Sequence, residues 1–124
     1  MIKTLLLFGL FFCASSVVMG AFGAHALKDK LSEYSMLIYD KAVFYQVFHA
    51  LGILVIAILG QVFNTQQFNI SGWFFVIGIL LFSGSLFILS VTGIKWLGAI
   101  TPIGGIMFIT GWFLLFFKVL KMKI

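Results

Sequence analysis

The stretch AVFYQVFHALGILVIAILGQVF (42–63) decides the fold, because it carries no charged side chain from end to end. A helix crosses a hydrocarbon core of about 30 Å with about 20 apolar residues, each adding about 1.5 Å. The stretch meets that length, yet Tyr45, Gln46 and His49 lie inside it within a turn and a half. An amide and an imidazole in lipid are costly unless other groups meet them. Their presence therefore asks for partners on neighbouring helices.

Working outward, three more uncharged runs of spanning length follow: Thr4–Leu27, Ile70–Ile94 and Trp96–Phe117. Over its 124 residues the chain is 63% hydrophobic and 9% charged, against about 25% charged in soluble domains. A soluble domain this small has too little interior for so many apolar groups. The expected fold is all-α and a single domain, residues 1–124. It is an integral membrane bundle of four antiparallel transmembrane helices, spanning about 4–27, 42–63, 70–94 and 96–117. Between spans 1 and 2, Leu31, Tyr34 and Ile38 share a helical face, with Ser32 placed as an N-cap and Glu33 in the first turn. That pattern predicts a short interfacial helix.

The positive charge comes from eight basic residues, all lysine, against three acids. Lys118, Lys121 and Lys123 follow the fourth span directly and suit anionic headgroups. No exposed segment interleaves aromatic and basic residues, so nucleic acid is not an expected partner. Lysines divide almost evenly between the two ends of the bundle, and the positive-inside rule leaves orientation open. Lys3 followed by an apolar run resembles a signal peptide, but the uncharged sequence continues to Leu27 and no cleavage is expected. Trp73 and Trp112 on the terminal side, with Trp96 on the other, suit interfacial belts.

Small residues recur along the first span: Gly9, Cys13, Ser16, Gly20 and Gly23 step by four, three, four and three. In lipid, close backbone approach through small residues drives helix association. Gly98 and Gly105 continue the device in the fourth span, as do Gly104 and Gly111. These positions are read as helix-packing seams.

The polar residues are predicted to converge in one half of the membrane. His49 falls about 10–12 Å into the second span, Gln46 a turn shallower, and Tyr45 on the face of His49. His25 ends the first span, Thr92 the third, and Thr101 with Pro102 enters the fourth. Pro102 inside a helix would free the Gly98 carbonyl, and Tyr45, Gln46 and His49 are its expected partners. This cluster reads either as a hydrogen-bonded knot or as the floor of a ligand or proton cavity. Two histidines at unequal depth do not suit haem. With Cys13 alone and no acid inside a span, no metal site and no cofactor are expected. Hydrolase motifs and phosphate-binding loops are absent, so no enzyme activity is expected.

GAFGAHALK (20–28), AVFYQVFHALG (42–52), LFSGSLFILSVTG (81–93) and LGAITPIGG (97–105), with Gly111-Trp112 beyond, together resemble a bacterial family, domain of unknown function 423. It has a relative among small eukaryotic transmembrane proteins. The resemblance implies a four-helix protein of the bacterial inner membrane and brings no activity with it. The function expected is that of a non-enzymatic structural or binding component. Its partners would be membrane lipid, a second copy or another membrane protein. The alternative is a small-solute or proton-coupled transporter built around His49 and Pro102.

Overall fold

The computed structural model describes residues 1–123. Among them it is all-helical, with four helices long and apolar enough to cross a membrane: α1 Ile2–Leu27, α2 Glu33–Val62, α3 Asn69–Thr92 and α4 Lys95–Leu120. Three begin within about two residues of the uncharged runs; α2 starts well before its run.

Nothing between Glu33 and Gly52 is glycine or proline, so nothing stops a helix once it has started. Ser32 starts it, with extended φ and ψ, and its hydroxyl accepts the Ser35 N–H at 3.1 Å. The short separate helix expected before span 2 is corrected accordingly: its residues are the first turns of α2. Asn64, at φ 46°, turns the chain toward α3. Gly93, at φ 70°, ends α3 in the left-handed region where a Cβ would be strained, and its N–H bonds the Leu89 carbonyl.

Two helices widen locally into π geometry, α1 over Gly23–Leu27 and α3 over Ile79–Ser83. In the second, the Ser83 hydroxyl donates across to the Ala42 carbonyl of α2 at 2.8 Å. α4 opens with a 3₁₀ turn, Lys95–Ala99, before regular α-helix from Thr101. Pro102 therefore stands in the first α-helical turn, where a missing N–H costs little. The mid-helix break expected at Pro102 is not formed, and its ring is exposed.

Small residues set how closely the helices approach. A Cβ on Gly9 would meet Leu54 at 2.6 Å, and one on Gly23 would run into the Tyr39 ring. Gly20 faces Val43 more loosely, at 3.6 Å. Cys13 packs partly buried against the core, and Ser16 is buried with its hydroxyl on the Phe12 carbonyl at 2.7 Å. Between α3 and α4, Gly78 lies under the Phe108 ring, Gly104 against the Phe82 backbone and Gly111 against Phe75. Gly105 and Gly98 are not part of that contact: Gly105 lies 3.9 Å from the Phe82 ring and Gly98 faces open space. Leu5, Ile53, Ile56, Phe75 and Ile79 fill the centre. At the start of α3, Asn69 Oδ1 and Ser71 Oγ are buried with no hydrogen-bond partner among the described residues. The Lys118 ammonium nearby donates to the Gln67 carbonyl.

Candidate functional site

His49 is the group around which the site is built. On α2, Tyr45 precedes it by one turn, so both project from one face. α4 brings Phe108 flat against the imidazole, with ring centroids 3.5 Å apart and planes 6° apart. α3 adds Phe75 edge-on at 5.3 Å. The imidazole is thus enclosed by aromatic rings from three helices.

Its two nitrogens have different partners. Trp112 Nε1 lies 3.2 Å from His49 Nε2, and an indole N–H can only donate, so Nε2 accepts. Nδ1 must then carry the proton and donates to the Tyr45 carbonyl at 2.8 Å. Both contacts are satisfied by this neutral tautomer, assigned from the hydrogen-bond network.

α4 packs mainly on α3 and meets α2 around His49 through Phe108 and Trp112, beside which a lateral groove is left. Its volume is about 500 Å³, and Phe44, Tyr45, Phe48, Phe82, Ile109 and Trp112 line it with the His49–Phe108 pair as inner wall. Phe44 is 58% and Trp112 37% exposed, so the groove opens sideways. Gly105 belongs to its wall, and its missing side chain keeps it wide. Pockets of this size with apolar walls and few polar groups are typical small-molecule sites. The chemistry on offer is chiefly stacking and dispersion, since the His49 and Trp112 nitrogens are already paired, with the Tyr45 hydroxyl as the further polar group of the lining.

The other expected members of the cluster are dispersed. Gln46 turns toward α1, where its amide donates to the Phe12 carbonyl at 3.1 Å and to Ser15 Oγ at 2.7 Å. Thr101 pairs with Ser85 of α3 at 2.7 Å. Thr92 is exposed and donates to its own helix at Ile88, 2.6 Å away. His25 is exposed near the end of α1. The single knot around Pro102 is therefore corrected to separate pairs, because Pro102 stands in the first α-helical turn and Gln46, His49, Thr92 and Thr101 bond elsewhere. Trp112, Phe108, Ser15 and Ser85 were missed as members. For Trp112 a signal existed: its indole N–H falls within an apolar run and needs an acceptor. Phe108 carries no such mark.

A family model described as protein of unknown function (DUF423) matches residues 19–105. The chain belongs to this family. A UPF0382 membrane protein of Staphylococcus epidermidis is 46% identical over 96% of this chain and 97% of its own length. One from Staphylococcus haemolyticus is 44% identical over the same shares. The UPF0382 membrane protein YwdK of Bacillus subtilis is 40% identical over 96% of this chain and 98% of its own. No solved structure matches the chain. The family match ends at Gly105, on the wall of the groove, while these relatives extend over nearly the whole length.

Proposed function

We propose that this chain is a non-enzymatic component of the bacterial cytoplasmic membrane that holds a lipid hydrocarbon chain in the groove between α2 and α4. The observation that carries the reading is the groove itself: aromatic, about 500 Å³, and open sideways to the phase in which acyl chains reside. The His49 and Trp112 nitrogens in its wall are already committed to partners, which leaves the Tyr45 hydroxyl as the lining's remaining side-chain polar group and suits a mainly apolar occupant. The buried Gln46, Ser83 and Ser85 are likewise tied to partners on neighbouring helices rather than aligned along a path for water or protons.

The reading places the four helices alternately up and down, with the first turns of α2 at the membrane surface. Contacts support that order, since residue numbers rise on one helix as they fall on the next. Gly9 meets Leu54 and Gly23 meets Tyr39; Gly78 meets Phe108 and Gly111 meets Phe75. Single cysteines placed at position 3 and position 121, in a Cys13→Ala background, are expected to react with an impermeant maleimide from the same side of intact cells. Labelling from opposite sides would refute the arrangement.

Filling the groove tests the binding. Gly105→Leu projects a side chain into it from a position with room for the first carbon, and Ile109→Trp fills it from the exposed rim. Both variants are expected to melt near the wild type yet to lose most of the co-purifying lipid seen by native mass spectrometry. Lipid retained undiminished by both would reject the proposal.

A further inference from the structure

The aromatic groove has a polar counterpart at the Lys95 end of the bundle. A second cavity, of about 430 Å³, opens between the first turns of α2 and the α3–α4 turn, lined by Tyr34, Ser35, Ile38, Leu89, Lys95 and Gly98. The same three helices form both cavities. On α2, Tyr34, Ile38, Lys41, Tyr45 and Phe48 step by four, three, four and three, which is one helical face. On α4, Gly98, Gly105, Ile109 and Trp112 step by seven, four and three. On α3, Leu89 and Phe82 are seven apart. The two cavities share no lining residue, but they follow one another over α3 along the same helix faces, a line here termed the channel along which one elongated ligand would lie.

The chemistry changes along that channel. At the deep end lie rings. At the shallow end lie the Lys95 ammonium and the hydroxyls of Tyr34 and Ser35. Ser35 Oγ accepts from Ser32, so its own proton is free to donate. None of the three acids of the chain, Asp29, Glu33 and Asp40, lines the cavity, and the net charge is +5. Trp96, next to Lys95, is 66% exposed, as suits an indole at headgroup level. From Ser35 to His49 the channel covers about 21 Å along α2. That is half of the about 40–45 Å thickness of a bilayer with its headgroups.

We propose that the channel binds one anionic phospholipid of a single leaflet, its phosphate held by Lys95, Tyr34 and Ser35 and its acyl chain laid along Phe44, Phe48, Phe82 and Trp112. The assignment rests on the hydrocarbon-groove reading above and adds the headgroup. Lys95, Tyr34 and Ser35, all able to donate to a phosphate, line the same cavity, and the aromatic groove lies deeper along the same helices.

The test is lipid exchange. The purified full chain is incubated with vesicles of equal parts phosphatidylglycerol, phosphatidylcholine and diacylglycerol, and the retained lipid is read by native mass spectrometry. Phosphatidylglycerol is expected to exceed diacylglycerol by about tenfold, the scale of one charge-assisted contact. Lys95→Ala should remove that preference while lipid remains bound, and Lys95→Arg should keep it. Equal retention of the three lipids, or a preference unchanged in Lys95→Ala, overturns the headgroup assignment and leaves the groove reading standing. Lipid retention diminished by neither Gly105→Leu nor Ile109→Trp overturns both. Displacement of phosphatidylglycerol by inorganic phosphate alone would identify a free-phosphate site and overturn the lipid assignment.

Discussion

Alanine at position 104 is expected to destabilise the protein by about 2–3 kcal/mol, the upper part of the range for overpacking a close-packed interior. The added carbon would sit 2.7 Å from Phe82 Cβ and 2.8 Å from Phe82 Cα. These are backbone-anchored atoms, so no rotamer change relieves the clash. α3 and α4 must part, and the Ser85–Thr101 bond and the Gly78–Phe108 contact lie on that same seam. The neighbouring residue provides the control. A Cβ on Gly105 stands 3.9 Å from the Phe82 ring, an ordinary contact, so Gly105→Ala should stay within about 0.5 kcal/mol of the wild type. Thermal melts of the two variants in the same detergent decide it. Equal losses would mean that Gly104 does not face Phe82.

His49→Ala is expected to lower stability by about 2–4 kcal/mol, because it removes a buried ring stacked on Phe108 and leaves a hole beneath Trp112. The hydrogen bond from Trp112 is the smaller contribution: such bonds between membrane helices average about 0.6 kcal/mol. His49→Phe retains a ring while giving up both nitrogens, so it should lose less than half as much as His49→Ala. The ordering matters more than either value. Should Phe prove as damaging as Ala, the Trp112 bond and not the stack would be what holds α4 to α2. The same pair of variants addresses why an imidazole lies in an apolar span at all: its ring packs like phenylalanine, and its nitrogens fix which way Trp112 turns.

Helix number and span length were legible because the bilayer imposes them. Backbone groups in lipid must bond within their own segment, so long uncharged runs have few alternatives to helix. The α1 seam was legible for a related reason. Gly9, Gly20 and Gly23 recur at helical spacing and lie against Leu54, Val43 and Tyr39. The continuity of α2 was also available, since no glycine or proline separates Glu33 from Ala42. Reading an interfacial helix there placed a break where Lys41 ends the apolar run, although a lysine does not end a helix.

What misled was the proline. The fourth run from Trp96 to Phe117 was read as helical from its first residue, which put Pro102 inside it and made the Gly98 carbonyl an orphan. The 3₁₀ turn Lys95–Ala99 moves the start of regular helix to Thr101 and removes the problem. Gln46 could be recognised as needing a partner, but Phe12 and Ser15 lie on a different helix from Pro102, and the choice depends on rotation about the α2 axis.

By itself, the sequence determined that this is an all-helical membrane chain with four spans and small-residue seams, because hydropathy and residue size act locally. Only the tertiary structure decided that His49 meets Trp112 and Phe108, that Gln46 turns to α1, and that α2 and α4 stand apart over α3. Those outcomes follow from the crossing and rotation of packed helices. Apolar side chains that face lipid and those that face a neighbour are chemically alike, so a span written almost wholly in apolar letters does not reveal which of its faces is turned inward.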